Sequence, residues 1–135
     1  MARAPESVPG PGRVRIAVLV TLCLLPRPGL AEGDPAKGEG VFLNRCSECH
    51  ATQGDQVKIG PPLTGLFGRT SGSWPGFPYS QAMATAGIVW DAESLAQFLP
   101  NPRGFVPQTK MNFNGLKRPG EAEDLIAYLA TATAE

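Results

Sequence analysis

Histidine is nearly absent from this chain: one residue in 135. A single imidazole excludes any site built on two. There is also no surplus charge of either sign, with 12 Lys and Arg set against 12 Asp and Glu. Nucleic-acid binders carry a basic excess, so the balance argues against that class. Long apolar runs are missing too. The longest, from Ile16 to Leu25, has ten residues, against the roughly 20 that cross a bilayer. No internal repeat is visible, nor any strand alternation long enough to build a sheet. Cysteine is scarce and odd in number, three in all, so the thiols cannot all pair within one chain. Glycine (16) and proline (14) are plentiful instead, and predict extensive loops. A composition of 42% hydrophobic and 18% charged residues excludes wholesale disorder. The length suits one domain.

The apolar run follows Arg3, Arg13 and Arg15 and is broken by Pro26, Arg27 and Pro28. Gly29 and Ala31 then place small residues three and one positions before a cut after Ala31. Charged, apolar and small-residue regions in that order describe a secretory signal peptide. The division is therefore 1–31 as cleavable leader and 32–135 as the domain; the other reading of the leader is an uncleaved membrane anchor. Without the leader's four arginines and one glutamate, 8 basic and 11 acidic groups remain, a formal charge of −3. Cys23 leaves as well, so Cys46 and Cys49 are the only cysteines of the domain.

Within 32–135 the pattern predicts about four short helices. Asp34-Pro35 is an N-cap followed by a proline at the first helical position, opening a helix toward Arg45. Gly38 and Gly40 are poor helix formers there, and are expected to admit a close backbone or ring. A short helix is expected over Ser80–Ala86, ended by Gly87. Asp91 caps Ala92–Leu99, and Pro100 and Pro102 stop it. The last helix begins near Pro119-Gly120-Glu121 with acids in its first turns, which suits the helix dipole. Its apolar stripe is Leu125, Ile126 and Leu129, joined by Tyr128. Residues 51–78 and 106–115 are expected to be ordered loop. Helices this short do not build a stable core alone, and such domains lean on a disulfide, a metal or a cofactor.

Cys46-Ser47-Glu48-Cys49-His50 has the C-x-x-C-H spacing of haem c attachment. Two thiols separated by two residues reach both vinyl groups of a porphyrin from one turn of chain, and the next histidine is carried under the iron. A thioredoxin-like C-x-x-C wants a strand before it and a long helix after it, where this chain has a Gly/Pro loop. A zinc site needs further ligands from elsewhere, and a plain disulfide leaves His50 unexplained. With no second histidine, the sixth iron ligand is sought among the methionines. Met83 lies in a short helical stretch where methionine usually fills core. Met111 lies in a loop far from His50 in sequence, able to cross the opposite haem face. A His/Met pair favours electron transfer over catalysis on small molecules; a five-coordinate iron under a loop methionine is the alternative.

Gly60-Pro61-Pro62-Leu63, Gly65-Leu66-Phe67-Gly68-Arg69, Gly87-Ile88-Val89-Trp90, Thr109-Lys110-Met111 and Asp124-Leu125-Ile126-Ala127-Tyr128-Leu129 resemble class I cytochrome c, in order, from Gly33 to the C-terminus. With the leader, the chain is similar to a bacterial periplasmic cytochrome c2. The resemblance implies an all-α fold of about four helices and ordered loops around one haem c, held covalently by Cys46 and Cys49. It implies His50 and Met111 as axial ligands, with the Pro61 carbonyl fixing the His50 ring. Arg69, Tyr79, Trp90 and Thr109 would surround the haem propionates. Phe42, Leu63, Leu95, Leu99, Phe113, Leu125 and Leu129 would wall the pocket, and Gly38 would mark the crossing of the first and last helices against Tyr128. Three departures stand out. Phe98 replaces a tyrosine whose hydroxyl reaches the methionine sulfur, which implies a lower potential. Met83 replaces a polar residue that holds an internal water. Gln108 stands where glycine is frequent.

The expected function is a monomeric periplasmic one-electron carrier, not an enzyme. Its partners would be a quinol–cytochrome complex, a dehydrogenase, a terminal oxidase or a photosynthetic reaction centre. Arg103, Lys110, Lys117 and Arg118 lie in a stretch without acids and are expected to ring the exposed haem edge, steering it to acidic docking sites. The alternatives are a haem peroxidase or small-ligand sensor with a labile Met111, and a thiol redox module.

Overall fold

The first helix, α1 (Pro35–Arg45), starts where its cap chemistry places it: the Asp34 carboxylate accepts from the Ala36 and Lys37 amides, at 3.0 and 3.4 Å, and Pro35 follows. The computed structural model describes residues 1–2 and 33–135, so the leader reading and Cys23 lie outside the described residues. The last helix is α5 (Glu121–Ala132), with Glu121, Glu123 and Asp124 in its first turn. The two pack across each other at Gly38, which is buried. A Cβ at Gly38 would overlap the Asp124 carbonyl and come within 2.8 Å of the Tyr128 Cβ. The Asp34 amide also donates to the Asp124 carboxylate at 2.7 Å, joining cap to crossing. Phe42 and Tyr128 stack beside it with centroids 5.7 Å apart. Gly40 differs from expectation: nothing lies within 4 Å of a Cβ placed there, because it faces away from α5.

Between these helices run α2 (Gln81–Thr85), α3 (Ala92–Phe98) and α4 (Pro102–Phe105). Ser80 caps α2 by accepting from the Met83 amide at 3.1 Å. Asp91 and Ser94 cap α3 reciprocally, at 2.7 and 2.9 Å. The short α4 was not expected. Pro102 ends nothing there; it takes the first helical position after the Asn101 cap, whose side chain accepts from the Gly104 amide. Five helices thus stand among the described residues, where about four were expected. The one β-bridge among the described residues, Thr70 with Val89, builds no sheet there. No helix of the described residues is long and apolar enough to cross a membrane.

The core joins both ends of the chain to the middle. Leu125, Leu129, Leu95, Leu99, Val106 and Leu116 are each at most 6% exposed. The loops hang on it by hydrogen bonds: the Gly65 amide donates to the Thr133 carbonyl (2.7 Å) and Leu116 to Leu99 (2.9 Å). These contacts hold the two long loops, 46–79 and 106–120, and residues of both line one cavity.

Candidate functional site: an apolar cavity with two thiols, an imidazole and a thioether

The chain leaves α1 in one tight turn. The Cys49 and His50 amides donate to the Cys46 carbonyl at 3.0 and 2.9 Å, so both thiols and the imidazole project from a single turn of backbone. Cys46 and Cys49 are free thiols. The next loop presses against the His50 ring: Gly60 donates its amide to the Cys49 carbonyl at 2.9 Å. A Cβ on Gly60 would lie 2.8 Å from Nδ1 and 3.0 Å from Nε2 of His50. Only a glycine lets the loop close on the ring. His50 Nδ1 donates to the Pro61 carbonyl at 2.7 Å. That bond fixes the tautomer and leaves Nε2 as the ring's lone-pair donor, as a metal-binding histidine requires.

Burial lowers the His50 pKa; the Pro61 bond opposes this, and the Arg69 and Lys58 charges add to the lowering. The imidazole is therefore neutral, the form that binds metal. Burial also pushes the Cys46 thiol up to about 11, only partly offset by Arg45. Reactive thioredoxin-type cysteines are instead acidified, often at a helix N-terminus. Cys46 follows the C-terminal end of a helix, and its environment does not suit thiolate exchange. Zinc fares no better, since no group of three His, Cys, Asp or Glu side chains among the described residues is placed to hold a metal ion.

All of these groups open on one cavity of about 580 Å³. Cys46, Cys49, His50 and Pro61 line one part of it, and Thr109 and Met111 line another. Arg69, Tyr79, Trp90 and Phe98 also line it. Every residue named from the sequence as a site or pocket-wall residue thus faces the same space. Phe42, Leu63, Leu95, Leu99, Phe113, Leu125 and Leu129 supply its apolar wall. Met83 lines it too and is buried. An apolar cavity with two thiols on one turn, a neutral imidazole and a distant thioether fits a covalently attached haem.

The polar rim is built by backbone carbonyls. Arg69 donates to the Thr64 carbonyl at 2.8 Å and to the Pro62 carbonyl at 3.0 Å. Its guanidinium also stacks 5.1 Å from the ring centre of Trp74. The Trp74 amide donates to the Tyr79 hydroxyl at 3.3 Å. Trp74 thus braces both rim residues, and the sequence reading missed it. One of only two tryptophans, placed in a Gly/Pro-rich loop without core periodicity, was the signal available. Of the four cations expected to ring the cavity, Lys110 alone lines it; Arg45 and Lys58 line it as well, from other parts of the sequence. Arg103 instead donates to Asn112 at 2.7 Å and Lys117 to the Pro100 carbonyl at 2.6 Å.

The cytochrome c family model matches residues 35–133. Cytochrome c of Chlamydomonas reinhardtii is 50% identical over 103 residues, 76% of this chain and 92% of that protein. Cytochrome c of Stellaria longipes is 45% identical over 106 residues, 78% of this chain and 98% of that protein. Cytochrome c type-1 of Ascaris suum is 46% identical over 102 residues, covering 76% and 91%. With the free Cys46/Cys49 pair lining an apolar cavity, these matches identify the cofactor as covalent haem c, and the chain belongs to the cytochrome c family of electron carriers, which are not enzymes.

Proposed function

We propose that this chain is an exported carrier of the cytochrome c2 type, cleaved after Ala31 and working in the periplasm. When bound, the haem supplies one reversible ferric–ferrous step. Cys46 and Cys49 would hold it through thioethers, and His50 Nε2 and Met111 Sδ would supply its iron ligands. The observation that carries this ligand set is the pairing of His50, oriented by the Pro61 carbonyl, with Met111 on the same apolar cavity. The buried wall of Phe98, Leu95, Leu99 and Leu125 would keep water from the haem iron, so that little would rearrange as its charge changes. Arg69, Tyr79, Trp90 and Thr109, all lining the cavity and held by the surrounding loops, would meet its propionates.

The leader motif supports export, and the formal charge of −3 after residue 31 supports a dipolar carrier rather than a uniformly basic one. Arg45, Lys58 and Lys110 at the cavity rim form its docking face. Partners are acidic patches on a quinol–cytochrome complex or dehydrogenase as donor, and on a terminal oxidase or photosynthetic reaction centre as acceptor. Contacts of this kind are small and short-lived. The carrier works as a monomer.

Expression in a bacterium that matures haem c tests the reading. The expected product is a periplasmic chain beginning at Glu32, with a mass raised by one haem, whose reduction by a quinol–cytochrome complex slows as salt is added. A product that keeps residues 1–31 in the membrane fraction overturns export with cleavage. Rates indifferent to salt overturn the docking face.

A further inference from the structure

Gln108 lies at φ 66, and it alone among the non-glycine residues described has a positive φ. A Cβ in the left-handed region crowds the following carbonyl oxygen, so side chains other than Gly, Asn and Asp rarely stay there. The cause is visible in the loop. The Thr109 amide donates to the Val106 carbonyl at 3.1 Å, closing a four-residue turn with Pro107 and Gln108 at its centre. Proline at the second position and a positive φ at the third describe a type II turn, whose third position normally takes glycine.

The turn is held in place from both sides. Val106 is 3% exposed in the core. Thr109 accepts from the Met111 amide at 3.2 Å, Lys110 donates to the Pro78 carbonyl at 2.8 Å, and Arg103 donates to Asn112 at 2.7 Å. Backbone strain persists only where the surroundings over-determine it, and it collects at functional sites. Here it sits three residues before Met111.

We propose that Gln108 is a positioning residue that keeps the methionine loop under strain and so sets how readily Met111 yields its place to an incoming neutral ligand. The inference rests on Met111 as the sixth ligand. While Met111 is in the cavity, the turn holds Gln108 left-handed. Withdrawal of Met111 that also opens the 106–109 turn lets Gln108 return to ordinary backbone. The strain therefore favours release. Glycine at 108 removes it from the closed loop but also loosens the open one, whereas asparagine tolerates the left-handed region with less added freedom.

The test is an optical titration of the ferric holoprotein with imidazole, under conditions where every variant is folded. Gln108→Gly and Gln108→Asn should each bind imidazole about threefold more weakly than the parent, and Gln108→Val about threefold more tightly. Met111→Ala should bind imidazole far more tightly than any of them, having no sulfur to displace. If Met111→Ala leaves the affinity unchanged, the ligand assignment fails. If Met111→Ala binds tightly but the Gly and Asn variants match or exceed the parent, the strain inference fails while the ligand assignment stands. A residue that merely supports the fold would shift the unfolding midpoint without ordering imidazole affinity by left-handed tolerance. Should the Val variant not fold, the Gly and Asn pair still decides.

Discussion

Gly38 and Gly40 occupy the same helix two residues apart, and alanine at each gains the same intrinsic helix propensity, about 0.8–1 kcal/mol. Their surroundings differ completely. A Cβ at Gly40 meets nothing within 4 Å, so Gly40→Ala should stabilise the protein by roughly 0.5–1 kcal/mol. A Cβ at Gly38 overlaps the Asp124 carbonyl and lies 2.8 Å from the Tyr128 Cβ. Neither neighbour is the end of a flexible chain, so α1 and α5 must move apart. Overpacking of that kind costs about 1–3 kcal/mol. The displacement also stretches the 2.7 Å bond from the Asp34 amide to Asp124, worth about 1 kcal/mol. After the propensity gain, Gly38→Ala should lose about 1–3 kcal/mol, leaving the two variants about 2–4 kcal/mol apart. Denaturant unfolding of the holoproteins, with both variants and the parent in one buffer, reads the gap directly. Equal shifts, or a stabilised Gly38→Ala, would refute the close crossing of the two helices.

Two further outcomes follow from the cavity and from a cap. Phe98 is 5% exposed, with Trp90 5.0 Å away ring to ring. A tyrosine hydroxyl there would be buried and, by the family resemblance, donate to the Met111 sulfur. Drawing density from that sulfur disfavours ferric iron, so Phe98→Tyr should raise the potential by roughly 20–60 mV, the one-electron equivalent of about 0.5–1.5 kcal/mol. A spectroelectrochemical titration showing an unchanged or lower potential contradicts this. The Asp91 carboxyl is held below the usual range chiefly by the Ser94 amide it accepts from. Its stabilising contribution is full above the unfolded aspartate range and is lost as the pH falls through the depressed value. The stability deficit of Asp91→Ala should accordingly be constant near neutrality and shrink in acid. A deficit that persists unchanged into acid removes the carboxylate from the explanation.

The parts legible in the sequence were those with local causes. Asp34-Pro35 and Asp91 mark helix starts because the side chain that caps is adjacent to the turn it caps. The spacing of Cys46, Cys49 and His50 points to haem attachment, and the Gly/Pro loop after them sets it apart from a thioredoxin-like motif. What escaped depends on contacts distant in sequence. Gly38 and Gly40 look alike until α5 arrives against one of them. Pro102 reads as a stop, yet it starts α4, because Asn101 supplies a cap that the proline's own sequence signal conceals. Trp74 has no periodic neighbours, and only the folded loop brings the Arg69 guanidinium onto its face. Which cations line the cavity depends on such distant contacts too. Proximity to Met111 along the chain suggested Arg103 and Lys117, while the fold brings Arg45 from the end of α1 and Lys58 from the loop after His50.

The proposed carrier depends above all on Met111 as the iron ligand that joins His50. The deciding measurement is the weak near-infrared methionine–iron absorption of the ferric protein, compared among the parent, Met111→Ala and Met83→Ala. Both sulfurs line the cavity, so the comparison discriminates between them. A Met111 ligand gives a low-spin spectrum with the band present in the parent and in Met83→Ala, and lost in Met111→Ala. A band that survives in Met111→Ala, or a parent that is high-spin without it, would contradict the account.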